Sequence, residues 1–163
     1  KMSLSSSEMV DYLDALIQKY PIYAIEDGME QEDWIGWSNL TSRVGKNIEL
    51  VGDDVFVTNP ERLRKGIREG VANAVLIKVN QIGTITEALK TVELAKKENY
   101  QTVISARSGE SEDPIIAHLS IGFGVDEGKV AGIMGAESTG ILNEFIRIEE
   151  NLGDTARYLW VKK

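Results

Sequence analysis

Short β-branched apolar runs alternate along the chain with longer segments whose apolar residues recur at helical spacing. The runs occupy residues 22–25, 49–51, 74–79, 102–105 and 130–134. Each is too short for a helix, and most are rich in Val and Ile, which predicts strands. Between them, Met9, Tyr12, Leu13, Leu16 and Ile17 follow a helical stripe behind a Ser-rich cap. Thr58-Asn59-Pro60 offers a cap and a first-turn proline ahead of Leu63 and Ile67. Thr84 and Glu87 are spaced as a capping box before Ala88, Leu89, Val92 and Ala95. Asp113-Pro114 repeats the cap-plus-proline device, and a last helix near residues 138–152 stops at Gly153.

Strand and helix alternating about every 25 residues predict βα units and a parallel sheet, with the helices as crossover connections. No linker interrupts the pattern, so residues 1–163 read as a single α/β domain. Periodicity leaves two architectures open. One is an open doubly wound sheet with helices on both faces; the other is part of a (β/α)8 barrel.

Composition narrows the function. Acidic residues outnumber basic ones 26 to 18, a net charge of -8, which argues against a nucleic-acid partner that needs clustered Lys and Arg. The absence of cysteine excludes a disulfide framework and a thiolate metal site. No apolar stretch reaches signal-peptide or membrane-span length, so a soluble, cytoplasmic protein with no membrane partner is expected.

In either architecture the ligand site lies beyond the carboxyl ends of the strands. The residues that collect there are Glu26-Asp27, Asp53-Asp54, Lys78 with Asn80, and Arg107-Ser108. Carboxylates from two successive strands can bind Mg2+, which takes oxygen ligands. A lysine flanked by Ile77 and Val79 is partly desolvated and can serve as a general base. Arg107 with Ser108 suits an oxyanion or phosphate. Plainer readings stand beside these: each acid as a turn or helix cap, and Lys78 as a snorkelling lysine. The Gly-Glu-Ser-Glu-Asp run reads as a solvated loop capping the next helix, His118 as structural, and Trp34 and Trp37 as packing residues.

The segments "AIEDGMEQEDW", "LVGDDVFVTNP", "LIKVNQIGTITEAL", "RSGESED" and "IRIEENLGD" resemble, in order and spacing, consecutive motifs of enolase, the phosphopyruvate hydratase of glycolysis. The resemblance runs from about residue 20 to residue 153. It implies the later strands of the enolase C-terminal (β/α)8 barrel, a partial TIM barrel, and a site for Mg2+. Glu26 and Asp53 match two of that family's three metal ligands. Lys78 matches the lysine that removes the proton α to the carboxylate of 2-phosphoglycerate, on the way to phosphoenolpyruvate. Arg107 and Ser108 match residues that hold the substrate phosphate.

The chain also departs from the family. Where enolases write Ser-His-Arg-Ser, this sequence has Ser105-Ala106-Arg107-Ser108, so a methyl replaces an imidazole that contacts substrate. The second active-site lysine of the family falls on Ala131 in one alignment and on Lys129 in the other; Lys129 is kept as a substrate-binding candidate. "MGAESTG" replaces a Ser/Arg-rich stretch. The third metal ligand and the catalytic acid match nothing in these 163 residues, so Mg2+ binding is expected to be weak and the chain alone inactive or severely impaired. Two function classes follow. The chain is part of a lyase completed by an enolase N-terminal portion, or it is a non-catalytic derivative acting as a binding module. Uncovered strand edges also lead to an expectation of homo-oligomers.

Overall fold

The computed structural model describes residues 3–130, 132 and 135–158. Helix α1 (Ser6–Lys19) opens with a full capping box, in which the Ser5 hydroxyl accepts the Glu8 amide and the Glu8 carboxylate accepts the Ser5 amide at 2.7 Å. Strand β1 (Ala24–Glu26) leads to α2 (Trp34–Val44), capped by Asp33, and then to β2 (Glu49–Gly52). Asn59 caps α3 (Pro60–Glu69), whose first turn carries the proline. Strand β3 (Ala74–Ile77) runs into a short α4 (Val79–Ile82), and Thr84 caps α5 (Ile85–Lys97). Strand β4 (Gln101–Ser105), α6 (Ile115–Phe123), β5 (Glu127–Lys129) and α7 (Ala136–Leu152) complete the order.

All five strands are parallel and lie in the order β1-β2-β3-β4-β5. An open doubly wound sheet requires the order to reverse at a switch point. Here it never does, so that alternative is set aside: the sheet is a curled half-barrel, an α/β partial TIM-barrel fold. Alternation along each strand then separates two cores. Leu50, Val75, Ile77 and Ile104 face the helices and join Trp37, Leu40, Leu63, Ala88 and Val92 in the main core. Val51, Ala74, Leu76 and Val103 form a second buried cluster on the opposite face.

The loop after β2 is fixed by one ring. Phe56 is fully buried, and a Cβ on Gly52 or Gly66 would approach it to 2.5 or 2.4 Å. Only glycine at both positions lets that ring sit between β2 and α3.

Three strand expectations need correction, the first being that β1 spans Ala24–Glu26 rather than residues 22–25. The fifth strand begins at Glu127, ahead of residues 130–134; Val130 lies past its end, and residues 131, 133 and 134 lie outside the described residues. Pairing rather than hydrophobicity sets β5: Asp126 accepts the Thr102 amide at 2.9 Å and its hydroxyl at 2.7 Å, and Ser105 then registers with Lys129. A strand with one partner and no helix-facing apolar residue has no apolar run to betray it. The third strand ends at Ile77, not at 79, because the Lys78 amide donates to the Thr58 hydroxyl and Val79 starts α4. Among the described residues no helix is long and apolar enough to cross a membrane.

Candidate functional site

The carboxyl ends of β1 to β3 converge. Glu26 is the last residue of β1, and Asp53 follows β2 directly. Asp27 adopts φ 47, which turns its carboxylate back across β2. There its Oδ1 accepts the Asp53 amide at 2.9 Å and the Asp54 amide at 3.2 Å. One carboxylate oxygen from each of Glu26, Asp27 and Asp53 lies within 4.8 Å of the others. Burial raises the Asp27 carboxyl above the usual range; the two amide hydrogen bonds pull it down, and repulsion from Asp53 and Asp54 adds to the rise.

Lys78 reaches this cluster from β3. Its ammonium pairs with Asp53 Oδ2, and the two side chains are 13% and 9% exposed, so the pair is largely withdrawn from water. The Gln81 amide approaches Asp53 Oδ1 at 3.4 Å. The snorkelling alternative for Lys78 does not describe this arrangement, since the charged end points to a buried carboxylate rather than to solvent. Its backbone is held by Thr58, whose hydroxyl accepts the Lys78 amide at 2.9 Å and donates to Gln81 Oε1 at 2.9 Å. Val57 and Thr58 adopt φ 46 and φ 55, strained values for β-branched residues. The strain is held by the Val57 amide on the Asp53 carbonyl at 2.7 Å and by Thr91 on the Thr58 carbonyl at 2.7 Å.

Lys129 comes from the far edge of the sheet. Its ammonium lies 2.6 Å from Glu26 Oε2, with side chains 55% and 32% exposed. Nearer the other end of the same strands, the Tyr23 hydroxyl donates to the Glu127 carboxylate. The first and last strands are thus tied twice across the curled sheet.

Arg107 and Ser108 lie on the exposed turn after β4. The Arg107 guanidinium donates to Asn80 Oδ1 at 3.0 Å, and its amide donates to Glu110 at 2.9 Å. Ala106 is half-buried beside them, with its amide on the Lys129 carbonyl at 3.2 Å. The following loop ends one residue later than expected: Pro114 rather than Asp113 is the N-cap of α6 and gives no side-chain cap, while Asp113 accepts the Ile115 amide at 3.0 Å. His118 bridges α6 to Glu144 of α7 at 3.0 Å, a structural contact. Trp37 is fully buried in the main core, and Trp34 packs against that core while lying under Lys65 and Arg62 as a cation–π partner.

The structure therefore gathers Glu26, Asp53, Lys78 and Lys129 at one place and adds Asp27, which the sequence placed among the strand-end acids without assigning it to the metal. The doubled acids Glu26-Asp27 and Asp53-Asp54 carried the signal, but adjacent residues on a strand point to opposite faces. Only the positive φ at Asp27 brings its carboxylate round. The second alignment candidate, Ala131, lies outside the described residues. In a comparison with known families the chain matches the family described as Enolase, C-terminal TIM barrel domain, over residues 1–163.

Proposed function

The chain belongs to the enolase C-terminal TIM barrel family, and from that premise we propose that its clustered strand ends are the base half of an enolase-type site. The observation that carries the reading is the Lys78–Asp53 pair beside Glu26 and Asp27. Three carboxylate oxygens within 4.8 Å suit a hard divalent cation such as Mg2+, although Lys78 and Lys129 each already cover one carboxylate. Glu26 and Asp53 would hold that ion, with Asp27 alongside. When bound, Mg2+ supplies positive charge against which an enolate forms, as in enolase-superfamily sites generally. Lys78 would take the proton from the carbon next to the substrate carboxylate. Arg107 and Ser108 are assigned to the phosphate of 2-phosphoglycerate or a phosphoenolpyruvate-like acid, with Lys129 at the substrate edge. A cytoplasmic setting is part of the same reading.

For the 163 residues by themselves we propose little or no turnover. Ala106 offers no polar contact where the family resemblance places a histidine, and Lys129 spends its charge on Glu26. Those two observations favour a second reading: a non-catalytic binding module, or a subunit completed by a second copy or by an enolase N-terminal portion. Enolpyruvate formation from 2-phosphoglycerate, assayed with and without such a portion, tests the choice. Activity only on complementation supports the split enzyme; none in either case supports the module.

A further inference from the structure

We infer that Lys129 is a built-in competitor for the divalent cation, occupying the Glu26 carboxylate until the ion displaces it. The inference rests on the cation reading above and concerns what must move for the ion to enter. Glu26, Asp27 and Asp53 bring three carboxylates to one point, and two ammonium groups, Lys78 and Lys129, lie against them. The lysines together carry the charge of one divalent ion.

They are not equivalent. Lys78 is enclosed, its pair with Asp53 is mostly shielded from solvent, and its backbone is fixed by Thr58. Lys129 reaches in from an edge strand of three residues and keeps more than half of its side chain in water. An exposed ion pair contributes little, so its ammonium is the one that yields. Glu26 is also the most exposed of the three carboxylates.

A cost follows from the geometry. The Lys129–Glu26 pair ties the carboxyl ends of β1 and β5, as Tyr23–Glu127 does nearer their start. Displacement of Lys129 removes the tie at the carboxyl ends of those strands, while Tyr23–Glu127 remains. Cation entry thus loosens the fifth strand while it tightens the ends of the first two.

The test is the Mg2+ affinity of three proteins, measured by titration calorimetry: the unaltered chain, Lys129→Met and Lys129→Arg. Loss of a cation that repels and competes with the ion should tighten binding about tenfold in Lys129→Met. Lys129→Arg retains the charge and should bind as the unaltered chain does. Equal affinity in all three overturns the competitor role but leaves the cation site standing. No saturable binding in any of them overturns both. Should Lys129→Met fail to fold, hydrogen exchange on the unaltered chain decides: saturating Mg2+ should speed exchange at residues 127–129, and unchanged or slower exchange refutes the inference.

Discussion

Thr58 sets the position of Lys78: its hydroxyl, buried and belonging to the loop after β2, accepts the lysine's backbone amide where β3 ends. That one bond turns the chain out of the strand and into α4, which directs the lysine side chain to Asp53 rather than along the sheet. The left-handed backbone at Val57 and Thr58 is the local cost, and the Phe56 ring seated between Gly52 and Gly66 keeps the loop from relaxing.

Thr58→Val should therefore destabilise the protein by about 1–3 kcal/mol, because the Lys78 amide loses its buried acceptor while side-chain shape is retained. Urea unfolding measures it. A change within about 0.5 kcal/mol, the range of an ordinary surface substitution, would mean that the bond is dispensable.

Mg2+ is expected to bind the unaltered chain with about millimolar affinity, typical of a weak, incompletely ligated oxygen site. Asp53→Asn removes one anionic ligand without changing shape and should abolish the binding. Calorimetry that returned the same affinity for the variant would place the ion elsewhere.

Phosphate or sulfate should shift NMR resonances of residues 105–110, since Arg107 presents a guanidinium on an exposed turn, steadied by Asn80. Arg107→Lys should weaken the effect severalfold, because an ammonium does not reproduce the two-pronged contact. A titration that left those resonances unmoved would remove the anion from this turn.

Much of this arrangement was legible in advance, for physical reasons. Fully covered strands such as Ala74–Ile77 must be apolar, and caps such as Asn59 and Thr84 must be short and polar, so both left plain marks. Glu26, Asp53 and Lys78 were legible because charge at a strand end is conspicuous after an apolar run. What stayed hidden depends on long-range geometry. Lys129 meets Glu26 across 103 positions of sequence, and only the curl of the sheet brings them together. Asp27 joins through a backbone angle, and β5 exists through pairing with β4. No local pattern encodes any of the three.

Stability should fall at high pH through Tyr100. Its hydroxyl donates to the Val71 carbonyl at 2.9 Å, and burial, with Glu98 adding to it, pushes the phenol up to about 12. An unfolded tyrosine ionises near pH ~10. Below that value both states are neutral and the contribution is complete. Between pH ~10 and ~12 the unfolded state loses its proton first, so stability declines by at most about 1.4 kcal/mol per pH unit. Tyr100→Phe should flatten this slope relative to the unaltered chain in denaturation measured across that range; parallel slopes would show that another group is responsible.

Activity is the last expectation and draws on the whole site. Lys78 can take a proton only if the enolate charge is neutralised as it forms, chiefly by the metal. In this chain Lys129 is paired with Glu26, Ala106 supplies no polar contact, and the family resemblance gives no match for the acid that expels the β-hydroxyl. Groups that act as a unit lose function non-additively, so one well-placed base achieves little alone. The purified 163-residue chain should show no measurable conversion of 2-phosphoglycerate, with or without Mg2+. Ala106→His combined with Ala131→Lys should leave it inactive unless an enolase N-terminal portion is added. Turnover above background that disappeared in Lys78→Ala would overturn this expectation, because it would mean that the base half of the site runs the reaction without the acid.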